Sequence, residues 1–233
     1  MTQPIPAAAD RPLSPVPGGG VAVVVTGGGG FDQALLAQLP PERTVIAADS
    51  GLETAVANGL EVDLVIGDLD SVSPDALARA GSDGVAVERH PVDKDDTDLD
   101  LALQRVAAAG FTECIVLGGG GGRLSHLLGN AQIIAAPRHD GIDIRWLVGS
   151  ARVMVARPGR PVTVEGLPGD LVSLLPAGGS AGGVATTGLR WVLSGDLLEH
   201  GSSRGISNVL TGVEATVSLA SGTVLVVHEG RRS

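Results

Sequence analysis

The chain has 233 residues, enough for one large domain or two small ones, and 43% of them are hydrophobic, which excludes a mostly disordered protein. Its net charge of −10 argues against a general nucleic-acid binder, which normally carries a basic face. Cys114 is the only cysteine, so no intrachain disulfide is available, which fits a reducing cytoplasm.

Glycine is abundant at 35 residues and aromatics make up only 2%, so the core must be built from Val, Leu, Ile and Ala. Residues 1–19 read as a flexible Pro/Ala/Gly tail, without the basic start and unbroken apolar stretch of a signal peptide. No later run is long enough to span a membrane.

From residue 21 strands and helices alternate. Strands are expected at Val21 to Val25, Thr44 to Ala48, Leu64 to Ile66, Val85 to Val87, Glu113 to Leu117 and Ile142 to Val148. Helices are expected at Phe31 to Leu39, Leu52 to Asn58, Pro74 to Ala80, from the 97–99 region to Ala109, and at Leu127 to Ala135. Ser73 reads as an N-cap with Pro74 at the first helical position. Cys114 falls inside the apolar run Cys114-Ile115-Val116-Leu117 and reads as an inert buried thiol. Such alternation predicts a parallel, Rossmann-like sheet covered by helices, spanning residues 20–149.

After residue 150 the helices stop. Strand-like runs at Val153 to Ala156, Val162 to Val164, Leu171 to Leu175, Leu189 to Leu193, Glu214 to Leu219 and Thr223 to His228 are separated by Gly, Pro, Ser and Asn. This texture predicts a smaller all-β sandwich domain over 150–233.

Ligands of open α/β sheets bind at the carboxyl ends of strands, which makes Thr26-Gly27, Asp49, Asp68 with Asp70, and the glycines after Leu117 the first candidates. Asp68 and Asp70 flank Leu69; read as an extended segment, it points both carboxylates one way. Two acids so placed suit Mg²⁺, which takes one or two carboxylates and fills its other positions with water and phosphate; a solvated turn is the equal alternative.

Residues 93–100 hold five acids around Lys94. Asp96 or Thr97 would serve as a helix cap, and acids favour a helix N-terminus, but a cap alone does not need five. Asp95 and Asp98, three apart, are expected on one helical face. The glycines of 27–30 offer either a phosphate cradle or a plain turn. Those of 118–122 lead into Arg123, a planar cation suited to phosphate oxygens, and His126, which would contact phosphate or cap the helix.

Six segments in this order resemble the thiamine pyrophosphokinase family: Ala48-Asp49-Ser50-Gly51, Gly67-Asp68-Leu69-Asp70-Ser71, Lys94-Asp95-Asp96-Thr97-Asp98, Gly121-Gly122-Arg123-Leu124-Ser125-His126, Gly188-Leu189-Arg190-Trp191 and Gly205-Ile206-Ser207-Asn208. The resemblance implies an α/β catalytic domain, a β-sandwich, a homodimer with thiamine sites near the subunit interface, and transfer of pyrophosphate from ATP to thiamine with release of AMP. It implies Asp68, Asp70 and Asp98 as Mg²⁺ ligands and, with Arg123, as the catalytic set. Gly27, Asp49, Ser71, Lys94, Asp95, Thr97, Arg123 and His126 fall to ATP. Trp191, Ser207 and Asn208 fall to thiamine. Trp146 lies within a strand and reads as core. Ser125 stands where the family pattern has Asp, which leaves open a different acceptor alcohol or a homologue that binds without turnover.

Overall fold

The computed structural model describes Leu13 and residues 20–230, so the tail expected at 1–19 lies, but for Leu13, outside the described residues. The chain forms two compact units, one of residues 1–127 with 139–143 and one of residues 128–138 with 144–233.

The first unit holds β1 (Val21–Thr26), β2 (Arg43–Ala48), β3 (Leu64–Gly67), β4 (Ala86–Arg89) and β5 (Glu113–Leu117). They are hydrogen-bonded in the order β5-β1-β2-β3-β4, and every adjacent pair is parallel. β1 and β2 are buried from their second residue on, which is what continuous Val, Ile and Ala runs produce when both faces are covered. Between the strands lie α1 (Gly51–Ala57), α2 (Pro74–Ser82) and α3 (Asp98–Ala108). Leu52 of α1 and Ala80 of α2 bury against Ala47 and Val65.

The Ser73 cap forms as expected, and of the two candidates Asp96 and Thr97 it is Thr97 that caps α3. Ser73 accepts from Ala76 N–H at 3.3 Å with Pro74 behind it, and Thr97 accepts from Asp100 N–H at 3.3 Å. The helix expected over 31–39 is instead one short 3-10 helix, Gln33–Gln38, capped by Asp32. Leu39 is extended, as a residue before proline must be, and that stops the helix.

The second unit contains most of α4 (Leu124–Ala135) and two sheets. β6 (Asp143–Val148) pairs antiparallel with β7 (Ala151–Ala156) through a tight turn at Gly149-Ser150. β8 (Val162–Glu165), β9 (Leu171–Pro176), β10 (Ala181–Thr187), β11 (Ser194–Leu198), β12 (Asn208–Val209), β13 (Glu214–Ser218) and β14 (Val224–Glu229) follow. One layer runs β12-β9-β14-β7-β6 and the other β11-β10-β13-β8. Val172, Leu174, Val224 and Val226 from the first meet Val162, Val164, Val184 and Val217 from the second in one core, as the alternation of a sandwich requires.

Two strands escaped the sequence reading and one was misplaced. Ala181–Thr187, left between expected strands in the sequence, forms β10 with shifted registers at Gly182-Gly183; a Cβ on Gly183 would lie 2.6 Å from that of Ala220. β12 is only two residues long. The strand expected at Leu189 to Leu193 is an irregular segment, and β11 begins at Ser194. Side chains take over its backbone bonds: Leu193 N–H donates to Thr186 Oγ1 at 2.9 Å and Trp191 N–H to Asn208 Oδ1 at 3.0 Å.

Candidate active site

In the first unit the carboxyl ends of β2 and β3 deliver three acids to one point. Asp49 follows β2 with φ +49°, its N–H bonded to Ile66 O at 2.9 Å. Asp68 and Asp70 follow β3. The segment is not extended, as the spacing suggested: Leu69 takes a left-handed φ of +64° and buries its side chain among Leu52, Val65 and Val72. That anchor turns the flanking carboxylates outward, and oxygens of Asp49, Asp68 and Asp70 lie within 4.8 Å of one another.

Asp98, at the first position of α3, sits beside this group. A Cβ on Gly67 would lie 2.9 Å from Asp98 Oδ1 and 3.3 Å from Asp49 Cβ, and at its φ of +142° a side chain would strain the backbone as well as displace the Asp98 carboxylate. Lys94 Nζ lies 2.7 Å from Asp68 Oδ2 and 3.0 Å from Asp98 Oδ1. The Lys94 hydrogen bond holds the Asp68 carboxyl below its usual range. Burial pushes the Lys94 ammonium down, but its bonds to Asp68 and Asp98 outweigh this and leave it raised. Burial, with the charges of Asp98 and Asp68, pushes Asp49 up despite bonds from Ser50 and Ser71. Asp49 Oδ1 is buried with no hydrogen-bond partner.

An orphaned buried oxygen in an all-carboxylate cluster fits a hard divalent cation: a metal there would satisfy that oxygen and relieve the like-charge repulsion. Asp49, read from the sequence only as a nucleotide contact, therefore belongs with the acids that could hold a metal.

Three other groups brace the loop. Arg89 Nη1 donates to Asp68 O at 3.1 Å, Ser71 Oγ donates to Asp70 Oδ1 at 2.9 Å, and Glu53 Oε1 accepts from Ser73 N–H at 2.8 Å. Arg89 and Glu53 were missed by the sequence reading. Arg89 closes β4, so the strand-end rule that found Asp49 would have found it had the strand been drawn two residues longer.

The remaining acids of 93–100 diverge. Asp95 is exposed and precedes α3, so it does not share a helical face with Asp98. Asp96 accepts from Gln104 at 3.2 Å. Asp100 is buried, with Oδ1 2.9 Å from His139 Nε2. Thr97 caps α3, the bland reading of that position.

The glycine loops meet each other. Gly119 N–H donates to Gly27 O at 3.2 Å and Gly120 N–H to Gly29 O at 3.4 Å. A Cβ on Gly121 would stand 2.3 Å from Gly28 O. Close backbone approach thus accounts for several of these glycines before any ligand is considered. Arg123 and His126 are exposed and hydrogen-bonded to each other, and Ser125 is exposed in the first turn of α4.

In the second unit Trp191 is 56% exposed, whereas Trp146 is buried as expected. Trp191, Val192, Arg204 and Ile206 line an open groove of about 570 Å³. The Arg190 guanidinium stands 5.0 Å from the centre of the Trp191 ring. Asn208 is buried against the Trp191 backbone, and Ser207, at φ +58°, donates its N–H to Ser173 Oγ at 3.0 Å.

Residues 37–146 match the thiamin pyrophosphokinase catalytic domain, and residues 162–224 match the thiamin pyrophosphokinase vitamin B1 binding domain. The thiamine pyrophosphokinase of Bacillus subtilis is 27% identical over 183 residues, covering 78% of this chain and 86% of that protein. Thiamine pyrophosphokinase 1 of Oryza sativa is 27% identical over 173 residues, covering 70% of this chain and 64% of that one. The crystal structure of the B. subtilis enzyme superposes with a TM-score of 0.77 at 24% identity, over 91% of this chain and 99% of that one. Yeast thiamin pyrophosphokinase gives 0.72 at 13% identity, over 98% and 96%. At those identities the superpositions speak for the fold. The chain belongs to the thiamine pyrophosphokinase family.

Proposed function

We propose that this enzyme transfers pyrophosphate from ATP to the hydroxyl of thiamine, giving thiamine diphosphate and AMP, with Mg²⁺ bound by Asp49, Asp68 and Asp70 and flanked by Asp98. The observation that carries the reading is the cluster of three carboxylates beside the doubly paired Lys94, within a stretch that matches the family's catalytic domain. In the reaction the thiamine oxygen bonds to the β-phosphorus and gives up its hydroxyl proton to solvent, the bond from that phosphorus to the oxygen bridging the α-phosphorus breaks, and AMP departs. When bound, Mg²⁺ supplies charge neutralisation on the phosphate oxygens.

The chain's own residues orient and balance charge, which is most of what phosphoryl transfer asks of a protein. Lys94, held between two acids, exchanges one of them for a phosphate oxygen. Gly27 and the 118–122 loop offer backbone N–H groups to ATP, with Ser71, Asp95, Arg123 and His126 around it. Residues 20–149 handle the donor, and residues 150–233 recognise thiamine through Trp191, whose exposed ring stacks on the acceptor, with Ser207 beside it. We further propose a homodimer working in the cytoplasm. No helix among the described residues is long and apolar enough to cross a membrane.

The test is incubation with ATP, Mg²⁺ and thiamine, with products resolved by phosphorus NMR. AMP and thiamine diphosphate in equal amounts are expected; neither forming across pH 6–9 overturns the proposal. A second reading, a different acceptor alcohol, is favoured by Ser125 alone. Ser125→Asp should leave thiamine turnover within a few-fold of wild type, and a large gain would favour that second reading.

A further inference from the structure

Asn208 stands in the segment that the resemblance gives to thiamine and lines the Trp191 groove, but all except one of its side-chain hydrogen-bonding positions are taken inside the protein. It is 4% exposed. Oδ1 accepts from Trp191 N–H at 3.0 Å and from Val209 N–H at 2.9 Å, and Nδ2 donates to Trp191 O at 2.7 Å. Both lone pairs of the oxygen and one of the two amide hydrogens are thus used inside the protein. The amide cannot be turned over, because flipping it would set the NH₂ group against two N–H donors.

Around this clamp the backbone is tied in the same direction. Leu189 bridges Leu210, and Arg190 N–H donates to Val209 O at 2.9 Å. Asn208 itself lies opposite Val172 on β9, and Leu174 N–H bonds Gly205 O at 2.9 Å. A continuous chain of support therefore runs from β9 through Asn208 to the backbone of Trp191. The residues from Gly188 to Leu193 lie between β10 and β11, and whereas Leu189, Arg190 and Leu193 are tied by their own backbone bonds, it is the Asn208 side chain that holds both the N–H and the C=O of Trp191. Trp191 also has one face toward the Arg190 guanidinium, and the angle of the ring decides how its other face meets a flat ligand.

We propose that Asn208 is a positioning residue: it does not bind the acceptor but sets the orientation of Trp191, and so tunes affinity for a flat heteroaromatic acceptor at the groove. This rests on the reading of Trp191 as the stacking platform.

The test is a double-variant cycle of Asn208→Asp and Trp191→Ala. Aspartate keeps both acceptor bonds and loses the donor to Trp191 O, leaving two oxygens facing each other. Asn208→Asp should raise the thiamine KM about tenfold, with kcat and the ATP KM within about twofold. Trp191→Ala should raise it further, and the double variant should be no worse than Trp191→Ala, since a residue that acts through another adds nothing once that other is gone. In a Trp146→Phe background, Asn208→Asp should also change acrylamide quenching of the remaining indole.

Multiplying effects, a raised KM with unchanged quenching, or a wild-type KM in Asn208→Asp each overturns the inference. A wild-type thiamine KM in Trp191→Ala instead overturns the stacking reading, and the inference with it. Asn208→Ser, which keeps a short acceptor for Trp191 N–H, carries the same cycle if the aspartate variant does not fold.

Discussion

Asp70 and Cys114 stand at opposite limits of exposure. Asp70 is exposed and accepts from Ser71 Oγ. Asp70→Asn should leave stability within about 0.5 kcal/mol of wild type, as surface changes do, while turnover falls at least a hundredfold. Thermal melting and a coupled AMP assay check the two halves, and retained activity would remove Asp70 from the metal set. Cys114 is fully inside β5, and burial pushes its thiol from 9.0 up to about 12. The folded protein should therefore resist iodoacetamide at pH 8 and react once denatured. The linkage has a sign: between those two values the unfolded chain gives up the proton and the folded one keeps it. Stability should thus fall by about 1.4 kcal/mol per pH unit over that window, on this group's account, and urea titrations at pH 8.5 and 10 would measure it.

At the scale of elements, two contacts can be tested by removing or adding one group. Thr97 caps α3 beside Lys94 and Asp98. Thr97→Ala should cost about 1 kcal/mol, a melting shift of about 2–4 °C. Gly121 faces Gly28 O across the paired glycine loops, in a backbone conformation that alanine tolerates, so Gly121→Ala acts by contact alone. The two loops must part to admit the methyl group. The ATP KM should rise about tenfold while the thiamine KM holds, and equal rises in both would show that the loops do not serve the donor specifically.

The strand-end acids were legible because a parallel α/β alternation fixes where ligands go before any contact is known. The role of Leu69 was not: an apolar residue between two acids reads as part of a strand, and its left-handed turn exists because the core below accepts its side chain. Asp100 was illegible for a similar reason, since His139, 39 residues away, is what draws it inward.

At the scale of the molecule, the second unit includes residues 128–138 as well as 144–233. Arg157 reaches back to Ile134 O at 3.4 Å and Ala136 O at 3.2 Å, and β6 is the antiparallel partner of β7. A fragment starting at residue 150 would lose both. Expressed alone, residues 128–233 should melt well above residues 150–233, by circular dichroism. Equal melting would mean that neither α4 nor β6 supports the sandwich. Sedimentation of the whole chain tests the proposed homodimer, and a monomer at micromolar concentration would overturn it.

By itself the sequence determined what acts within a few residues: the Val-rich strands, the caps at Ser73 and Thr97, the glycine stops, and an ordered series of motifs that names the family. These are short-range effects, set by backbone sterics, apolar periodicity and local hydrogen bonds. The tertiary structure alone decided which side chains meet. It brought Asp49 to Asp68 and Asp70, set Lys94 between Asp68 and Asp98, turned Asp100 away, and closed Asn208 onto a tryptophan 17 residues distant. Those outcomes depend on sheet order and on which polar atoms burial leaves in want of a partner, and neither is written in any single stretch of chain.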